Sequence, residues 1–374
     1  RVWLFARILF FNMTSVNVFT VGTCLYSNAK THTSQDTIIM LKKLALSLMI
    51  GLSSYSITSQ AAPIVTDSVA LMQSVLQQER QWAGLESKTI KVGETTFAYS
   101  EGGVKGAPTV LLVHGFSGSR DNWNRIAHKL TKKYHVVAVD LPGHGDTIAP
   151  ESFGYQLADL SDAVRQFVLA LGIQKDLHIA GHSLGGGIAV LYSALYFLEV
   201  KSVLLVDTAG VYDKVGNSLI SKPEELKNML VRKQGDFERL ATKIAMYNPP
   251  FIPKELMEGY EKLHVKHLPE HEKLINALIK QMEFTKPETF QMAAHSIEAP
   301  TLVIWGDKDA VIDVSVVEEL KEHLKNEEVL ILKDVGHTPL LEADYPVSEA
   351  YLAFLAKAQA MPNKFAPAAT PSTK

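Results

Sequence analysis

The sequence predicts an α/β architecture: a mostly parallel central sheet with helices on both faces and a helical cap inserted between two of its strands. Three observations carry that prediction. Short apolar runs rich in β-branched residues recur between helical patterns, as strands buried on both faces require. The stretch 210–296 breaks this rhythm, being helical and poor in strands. A pentapeptide, Gly181-His182-Ser183-Leu184-Gly185, stands between a strand-like run and a helix-like one.

Taken in order, Thr89 to Val92 and Thr95 to Tyr99 read as an opening pair of strands around a turn at Gly93-Glu94. Thr109 to Val113 and His135 to Val139 are continuous apolar strands, with a helical pattern from Trp123 to Leu130 between them. Tyr155 to Leu171 is amphipathic at helical spacing. Asp176 to Ala180 reads as a buried strand before the pentapeptide, and Ile188 to Leu195 as an apolar helix after it. Ser202 to Val206 is the next strand. Cap helices are expected at Pro223 to Lys233, Asp236 to Met246, Lys254 to His264 and Glu270 to Glu283, parted by Asn248-Pro249-Pro250 and Leu268-Pro269. Alternation then resumes with a strand at Thr301 to Trp305, a helix at Val314 to Lys325, a strand at Glu328 to Lys333 and a closing helix at Tyr345 to Ala358.

These elements divide the chain into a core at 87–209 and 297–360, the cap at 210–296, a helical lead-in at 63–86 and a tail at 361–374 whose Pro, Ala and Thr predict disorder. Met40-Leu41-Lys42-Lys43, the apolar run Leu44 to Leu52 and the small residues Ser59-Gln60-Ala61 have the layout of a secretory signal at 40–62, with cleavage expected after Ala61 or Ala62. Residues 1–39 are then expected to be an upstream extension outside the fold. The expectation is a bacterial periplasmic or secreted protein, the alternative an N-terminal membrane anchor built from both apolar stretches.

Composition narrows the function. Of 374 residues 47% are apolar and 21% charged, an ordinary globular balance. The net charge of −3, with no Lys/Arg run interleaved with aromatics, argues against a nucleic-acid partner. The single cysteine, Cys24, lies upstream of the cleavage point. The mature chain is therefore expected to lack disulfides, thiol catalysis and Cys-ligated metal.

Ser183 is the candidate nucleophile, because a serine squeezed between strand and helix takes strained backbone angles and tolerates only small neighbours, here Gly181 and Gly185. The helix behind it presents free N–H groups, so Leu184 N–H is one expected oxyanion donor. Phe116 N–H, in His114-Gly115-Phe116-Ser117-Gly118 after an earlier strand, is the other. His114, Gly115 and His182 are expected near the substrate, and Asp140 through Gly145 is a turn expected to shape the site. A serine hydroxyl needs a base, and the base an acid. Of 13 histidines, His337 follows the last strand and is the expected base. Asp309 is the favoured acid, with Asp207 and Asp307 as substitutes and Asp313 in the same loop. Loops after parallel strands open at one sheet edge, where these residues can converge.

With His114-Gly115-Phe116, Asp140-Leu141-Pro142-Gly143-His144-Gly145, Gly181 to Gly186, Trp305-Gly306-Asp307-Lys308-Asp309 and Gly336-His337-Thr338-Pro339 in one order, the chain resembles the α/β-hydrolase superfamily from about Ser87 to Ala358. Within it, the sequence is similar to the branch of capped lipases and esterases that includes monoacylglycerol lipases and cold-adapted bacterial lipases. The resemblance implies the α/β-hydrolase fold and an acid at Asp309. It also implies cleavage of carboxylic esters through an acyl-enzyme, without metal or organic cofactor. Ser183 stands where haloalkane dehalogenases and epoxide hydrolases of this fold carry aspartate. The expected partner is a small-molecule or lipid ester, with transient contact to a lipid surface. Cap residues Leu226, Met229, Leu230, Leu240, Ile244, Met246 and Tyr247 are either an acyl-site lining or the cap's own core. The rival activities are carbon–carbon hydrolysis of a diketone by the same site, and ligand binding without catalysis.

Overall fold

Eight strands among the described residues form one sheet: β1 (Leu85–Val92), β2 (Thr95–Gly103), β3 (Thr109–Val113), β4 (His135–Val139), β5 (Leu177–His182), β6 (Val200–Val206), β7 (Thr301–Gly306) and β8 (Glu327–Leu332). Their spatial order is β1-β2-β4-β3-β5-β6-β7-β8. The first two strands pair antiparallel, β2 meets β4 antiparallel, and every later pairing is parallel. This computed structural model describes residues 67–210 and 216–362. The upstream extension 1–39, the signal-type segment 40–62, the start of the lead-in and most of the tail lie outside the described residues.

Helices cover both faces: α1 (Ser68–Trp82), α2 (Asn124–Leu130), α3 (Leu157–Leu171) and α4 (Leu184–Leu195), then α10 (Val316–His323), α11 (Pro339–Glu342) and α12 (Asp344–Ala360) after the insertion. Alternation along the strands separates two cores. Leu111 and Val113 of β3 join a cluster with Val164 and Phe167 of α3 and Ile188 of α4. Val110 and Leu112 point the other way, into a cluster with Ile126 of α2 and Tyr351 and Phe354 of α12. A period of two thus feeds two apolar layers from one strand, which is why these runs read as continuously hydrophobic.

The chain reverses direction at the centre of the sheet. From β3 it crosses to β4 on one side, and from β4 to β5 on the other, so the crevice of an open α/β sheet falls between the ends of β3 and β5. Register aligns those ends: Val113 pairs with Gly181, His182 with Val206, Val206 with Ile304 and Gly306 with Leu332. The loops carrying 114–118, 183, 207, 309 and 337 therefore leave from one edge.

The insertion departs most from the sequence expectation. The expected helix from Pro223 to Lys233 is one turn, α5 (Pro223–Leu226), followed by a 3₁₀ turn at Lys227–Met229. The expected helix from Asp236 to Met246 is α6 (Asp236–Arg239) running into a π-helical segment at Leu240–Ala245. The longer helices α7 (Lys254–Lys266) and α8 (Leu268–Phe284) match closely, and α9 (Pro287–His295), with Pro at its first turn, was not expected. Short cap segments owe their shape to packing against the core, and periodicity cannot report that. No helix among the described residues is long and apolar enough to cross a membrane.

The turn at Asp140 through Gly145 is a buried electrostatic joint. The Arg120 guanidinium reaches the Asp140 carboxylate, with side chains 3% and 0% exposed. Asp140 also accepts the N–H of Arg120 at 2.7 Å and of Asp146 at 2.9 Å. Gly145 sits at φ +53, where an added Cβ would lie 2.1 Å from Asp140 Oδ2. Removing one partner of such a pair leaves an uncompensated buried charge. Arg120→Ala is therefore expected to destabilise the fold by about 3–5 kcal/mol in urea titrations; a loss below about 1 kcal/mol would mean that water reaches Asp140.

Candidate active site

Ser183 makes the turn from sheet to helix alone. β5 is buried throughout and ends at His182, and α4 begins at Leu184, four residues before the Ile188 start that the apolar run suggests. Its backbone sits at φ 53, ψ −118, a region that costs a non-glycine residue about 1–3 kcal/mol. The turn is held by Ser183 N–H donating to Val206 O at 2.9 Å, and by its own carbonyl accepting from Gly186, Gly187 and Ala209 at 2.9, 3.1 and 2.9 Å. The glycines are steric necessities. A Cβ on Gly181 would lie 2.1 Å from Gly185 O, and one on Gly185 2.3 Å from Val113 O. Gly186, with Thr208 Oγ1 at 2.3 Å, extends the requirement one residue beyond the pentapeptide.

His337 and Asp309 arrive on the loops after β8 and β7. Ser183 Oγ lies 2.9 Å from His337 Nε2, and His337 Nδ1 lies 2.7 Å from Asp309 Oδ2. Asp309 Oδ1 accepts the N–H groups of Val311 and Ile312 at 2.8 and 2.9 Å. The carboxylate is therefore acceptor-only, and the ring takes the tautomer with its proton on Nδ1 and Nε2 free to accept from the serine. Asp307 turns away to accept the Asp334 N–H at 2.6 Å, and Asp313 accepts the Ser315 N–H at 2.9 Å. Asp207 stays close, completely buried behind His337.

The segment after β3 lies against the serine, since a Cβ on Gly115 would come 2.9 Å from Ser183 Cβ. The Gly115 carbonyl accepts from His114 Nδ1–H at 2.7 Å and from Gly118 N–H at 3.1 Å. In a trans peptide the carbonyl and the following N–H point in opposite directions, so these bonds also fix the Phe116 N–H. Neither Phe116 N–H nor Leu184 N–H has a protein acceptor among the described residues. His114 and His182, expected near the substrate, are occupied otherwise. His114 Nε2 accepts the Leu141 N–H at 3.0 Å, pinning the turn after β4 to the turn after β3. His182 Nε2–H donates to His337 O at 2.7 Å and so steadies the loop carrying His337.

Contacts that the sequence did not disclose join the insertion to this edge. His337 N–H donates to Ala245 O at 2.7 Å, and Glu342 accepts the N–H groups of Tyr247 and Asn248, 95 and 94 positions earlier, at 2.9 and 2.8 Å. The same carboxylate accepts Gly336 N–H at 3.1 Å, so one side chain ties cap segment and histidine loop together. On the other side, His271 of α8 packs on Phe116 at 5.2 Å and on His144 at 4.8 Å between ring centroids. Of the cap's apolar candidates, Leu226, Met229, Leu230, Leu240 and Met246 are buried, whereas Tyr247 is half exposed.

Two groups of side chains have metal-like spacing among the described residues, His182 with Asp207 and His337, and Glu319 with Glu322 and His323. In the first, both ring nitrogens of His337 are engaged by Asp309 and Ser183, so His337 has no free ring nitrogen to give a metal. In the second, His323 and Gln291 already satisfy Glu319 Oε1.

Burial keeps the rings of His114, His144, His182 and His271 neutral. Desolvation pushes His114 down to about 4, and His182 and His271 to about 3, from an ordinary 6.5. His144 is driven well below its ordinary value by burial first and by its histidine neighbours second. As pH falls below 6.5 the unfolded chain gains these protons while the folded chain does not. The stability they allow is thus complete above that pH and declines from there towards about 4, by roughly 1.4 kcal/mol per pH unit for each ring kept neutral. Urea midpoints are expected to fall steeply from about pH 6.5 down to about pH 4. A flat profile would show that these rings are hydrated.

The comparisons with known proteins agree with this arrangement. A family profile described as alpha/beta hydrolase fold matches residues 108–344. Lipase 3 of Moraxella sp. (strain TA144) is 32% identical over 319 residues, covering 84% of this chain and 98% of that one. A protein of Acinetobacter baumannii, described from its crystal structure as a candidate lipase, is 48% identical, covers 77% of this chain and 96% of its own, and superposes with a TM-score of 0.75. A structure described as a membrane phospholipase A and bacterial virulence factor is 32% identical, covers 87% of this chain and 100% of its own, and has a TM-score of 0.73. The chain belongs to the α/β-hydrolase family, and it is a carboxylic ester hydrolase.

Proposed function

We propose that this ester hydrolase acts through a covalent acyl-enzyme on Ser183, with His337 as general base and acid and Asp309 as its orienting carboxylate. The observation that carries the reading is the continuous relay of 2.9 Å from Ser183 Oγ to His337 Nε2 and 2.7 Å from Nδ1 to Asp309 Oδ2. His337 takes the serine proton as Oγ attacks the ester carbonyl carbon, and the carbonyl π electrons move to oxygen. The unpaired N–H groups of Phe116 and Leu184 receive that oxyanion; loss of one such donor costs about 10²–10³ in turnover in comparable sites. The tetrahedral adduct collapses, the C–O bond to the alcohol breaks, and His337 returns the proton to the leaving oxygen. Water then repeats the steps on the acyl-enzyme and frees the acid.

The substrate class we propose is the acyl ester of a lipid, of monoacylglycerol type. Phe116 packs on, and Leu184 belongs to, the apolar cluster that includes Leu226, Met229, Leu230 and Leu240 of the insertion, which supports an apolar acyl environment beside the oxyanion donors. Relatives above 30% identity include proteins described as lipases and one described as a phospholipase. Export to the periplasm or medium belongs to the same reading and rests on the sequence of residues 40–62.

Release of p-nitrophenol from acyl esters of graded length tests the chemistry. Ser183→Ala is expected to lower kcat by about a million-fold, and Asp309→Asn by about 10⁴-fold with KM nearly unchanged. Equal rates for wild type and Ser183→Ala would remove the proposal. Fractionation of cells expressing the chain from Met40 is expected to yield a shortened periplasmic protein; uncleaved cytoplasmic protein would count against export.

A further inference from the structure

The relay leaves one buried ionisable side chain beside it without a role. Asp207 is the first residue after β6 and is 0% exposed. Its Oδ1 accepts the Gly306 N–H at 2.9 Å, while no group among the described residues donates to its Oδ2. The carboxyl lies within hydrogen-bonding reach of the Asp309 carboxyl. One of its oxygens and ring nitrogens of His182 and His337 all lie within 4.8 Å of one another.

Two facing buried carboxyls cannot both hold a charge cheaply, so one keeps a proton. The donors around the pair decide which. Asp309 accepts from Val311 N–H, Ile312 N–H and His337 Nδ1–H, whereas Asp207 accepts from Gly306 N–H alone. The charge is therefore better served on Asp309. The other groups facing Asp207 give its ionised form no cation: Glu342 adds negative field, and burial keeps His182 neutral. Burial first and the charge of Asp309 second push the Asp207 carboxyl far above the ordinary carboxylate range. Protonation also accounts for Oδ2, which lacks a donor because it is itself the donor.

We propose that Asp207 is a neutral carboxylic acid whose Oδ2–H donates to the Asp309 carboxylate, a positioning residue that orients the acid of the relay. The proposal rests on the Ser183, His337 and Asp309 reading. A fourth donor fixes the rotation of Asp309, and a neutral Asp207 leaves a single negative charge behind His337. A second charge there would overstabilise the imidazolium and slow return of its proton to the leaving alcohol.

Asp207→Asn is the discriminating variant, because an amide oxygen can accept from Gly306 and an amide N–H can donate to Asp309. Asparagine also tolerates the φ of +42 found at this position. The expected result is that Asp207→Ala lowers kcat by about 10- to 100-fold, the worth of a hydrogen bond to a charged group, with KM little changed, and that Asp207→Asn restores it. The acid limb of kcat/KM should coincide in wild type and Asp207→Asn. If Asp207 were ionised, its replacement by Asn would remove a negative charge beside His337 and move that limb down by about 1–3 pH units, which would overturn the proposal. Infrared difference spectra give a readout independent of turnover and of the folding of the alanine variant. Wild type at neutral pH should show the carbonyl band of a protonated carboxyl that Asp207→Asn lacks, and identical spectra would overturn the proposal. Should Ser183→Ala retain activity, the relay reading fails, and this band still decides the protonation of Asp207.

Discussion

The approach of α4 to the end of β3 is the constraint on which the rest of this molecule depends. Gly185 brings the first turn of the helix against the carbonyls of Val113 and His114, closer than any side chain permits. That approach forces the reversal into one residue and holds Ser183 at its strained angles. It also sets the unpaired Leu184 N–H and the segment from Gly115 to Phe116 side by side at the sheet's crevice. The strain is tolerated because three N–H groups converge on the Ser183 carbonyl and its own N–H is bound to β6. A site built on packed strand ends has little freedom to drift, which is what a preorganised oxyanion site needs.

Electrostatics at this edge follow from burial. Water is excluded, so the rings of His114, His144, His182 and His271 are neutral and serve as oriented hydrogen-bonding or packing groups. Charge is confined to places where donors gather: Asp140 with Arg120 and two backbone N–H groups, and Asp309 with two backbone N–H groups and His337. Asp207 lacks such a set, and its different protonation follows.

The insertion is tied to the chemistry by more than proximity. Its segment from Ala245 to Asn248 supplies an acceptor for the His337 N–H and two donors for Glu342, so cap and histidine loop form one hydrogen-bonded unit. His271 meets the other end of the site at Phe116. Substrate that displaces the cap would thus act on both His337 and Phe116.

Much of this was legible from the residues alone. Continuous apolar runs reveal a parallel sheet because both faces of it are covered. The pentapeptide reveals its turn because only glycine fits two positions of it. The order of Ser183, Asp309 and His337 along the chain places all three after strands of that sheet. Sequence favoured Asp309 as the acid, with Asp207 and Asp307 as substitutes, and it did not disclose that His114 and His182 tie loops together. It could not foresee the short, partly π-helical cap segments, the fifth cap helix at Pro287–His295, or the clamp at Glu342. Periodicity and motifs encode what neighbouring residues impose on one another, and these determined the fold class and the strands after which Ser183, Asp309 and His337 fall. Which carboxylate faces His337, and which ring bonds a loop, depends on contacts between separate loops, 28 positions apart for Asp309 and His337 and 155 for His182 and His337, and tertiary packing alone decided them.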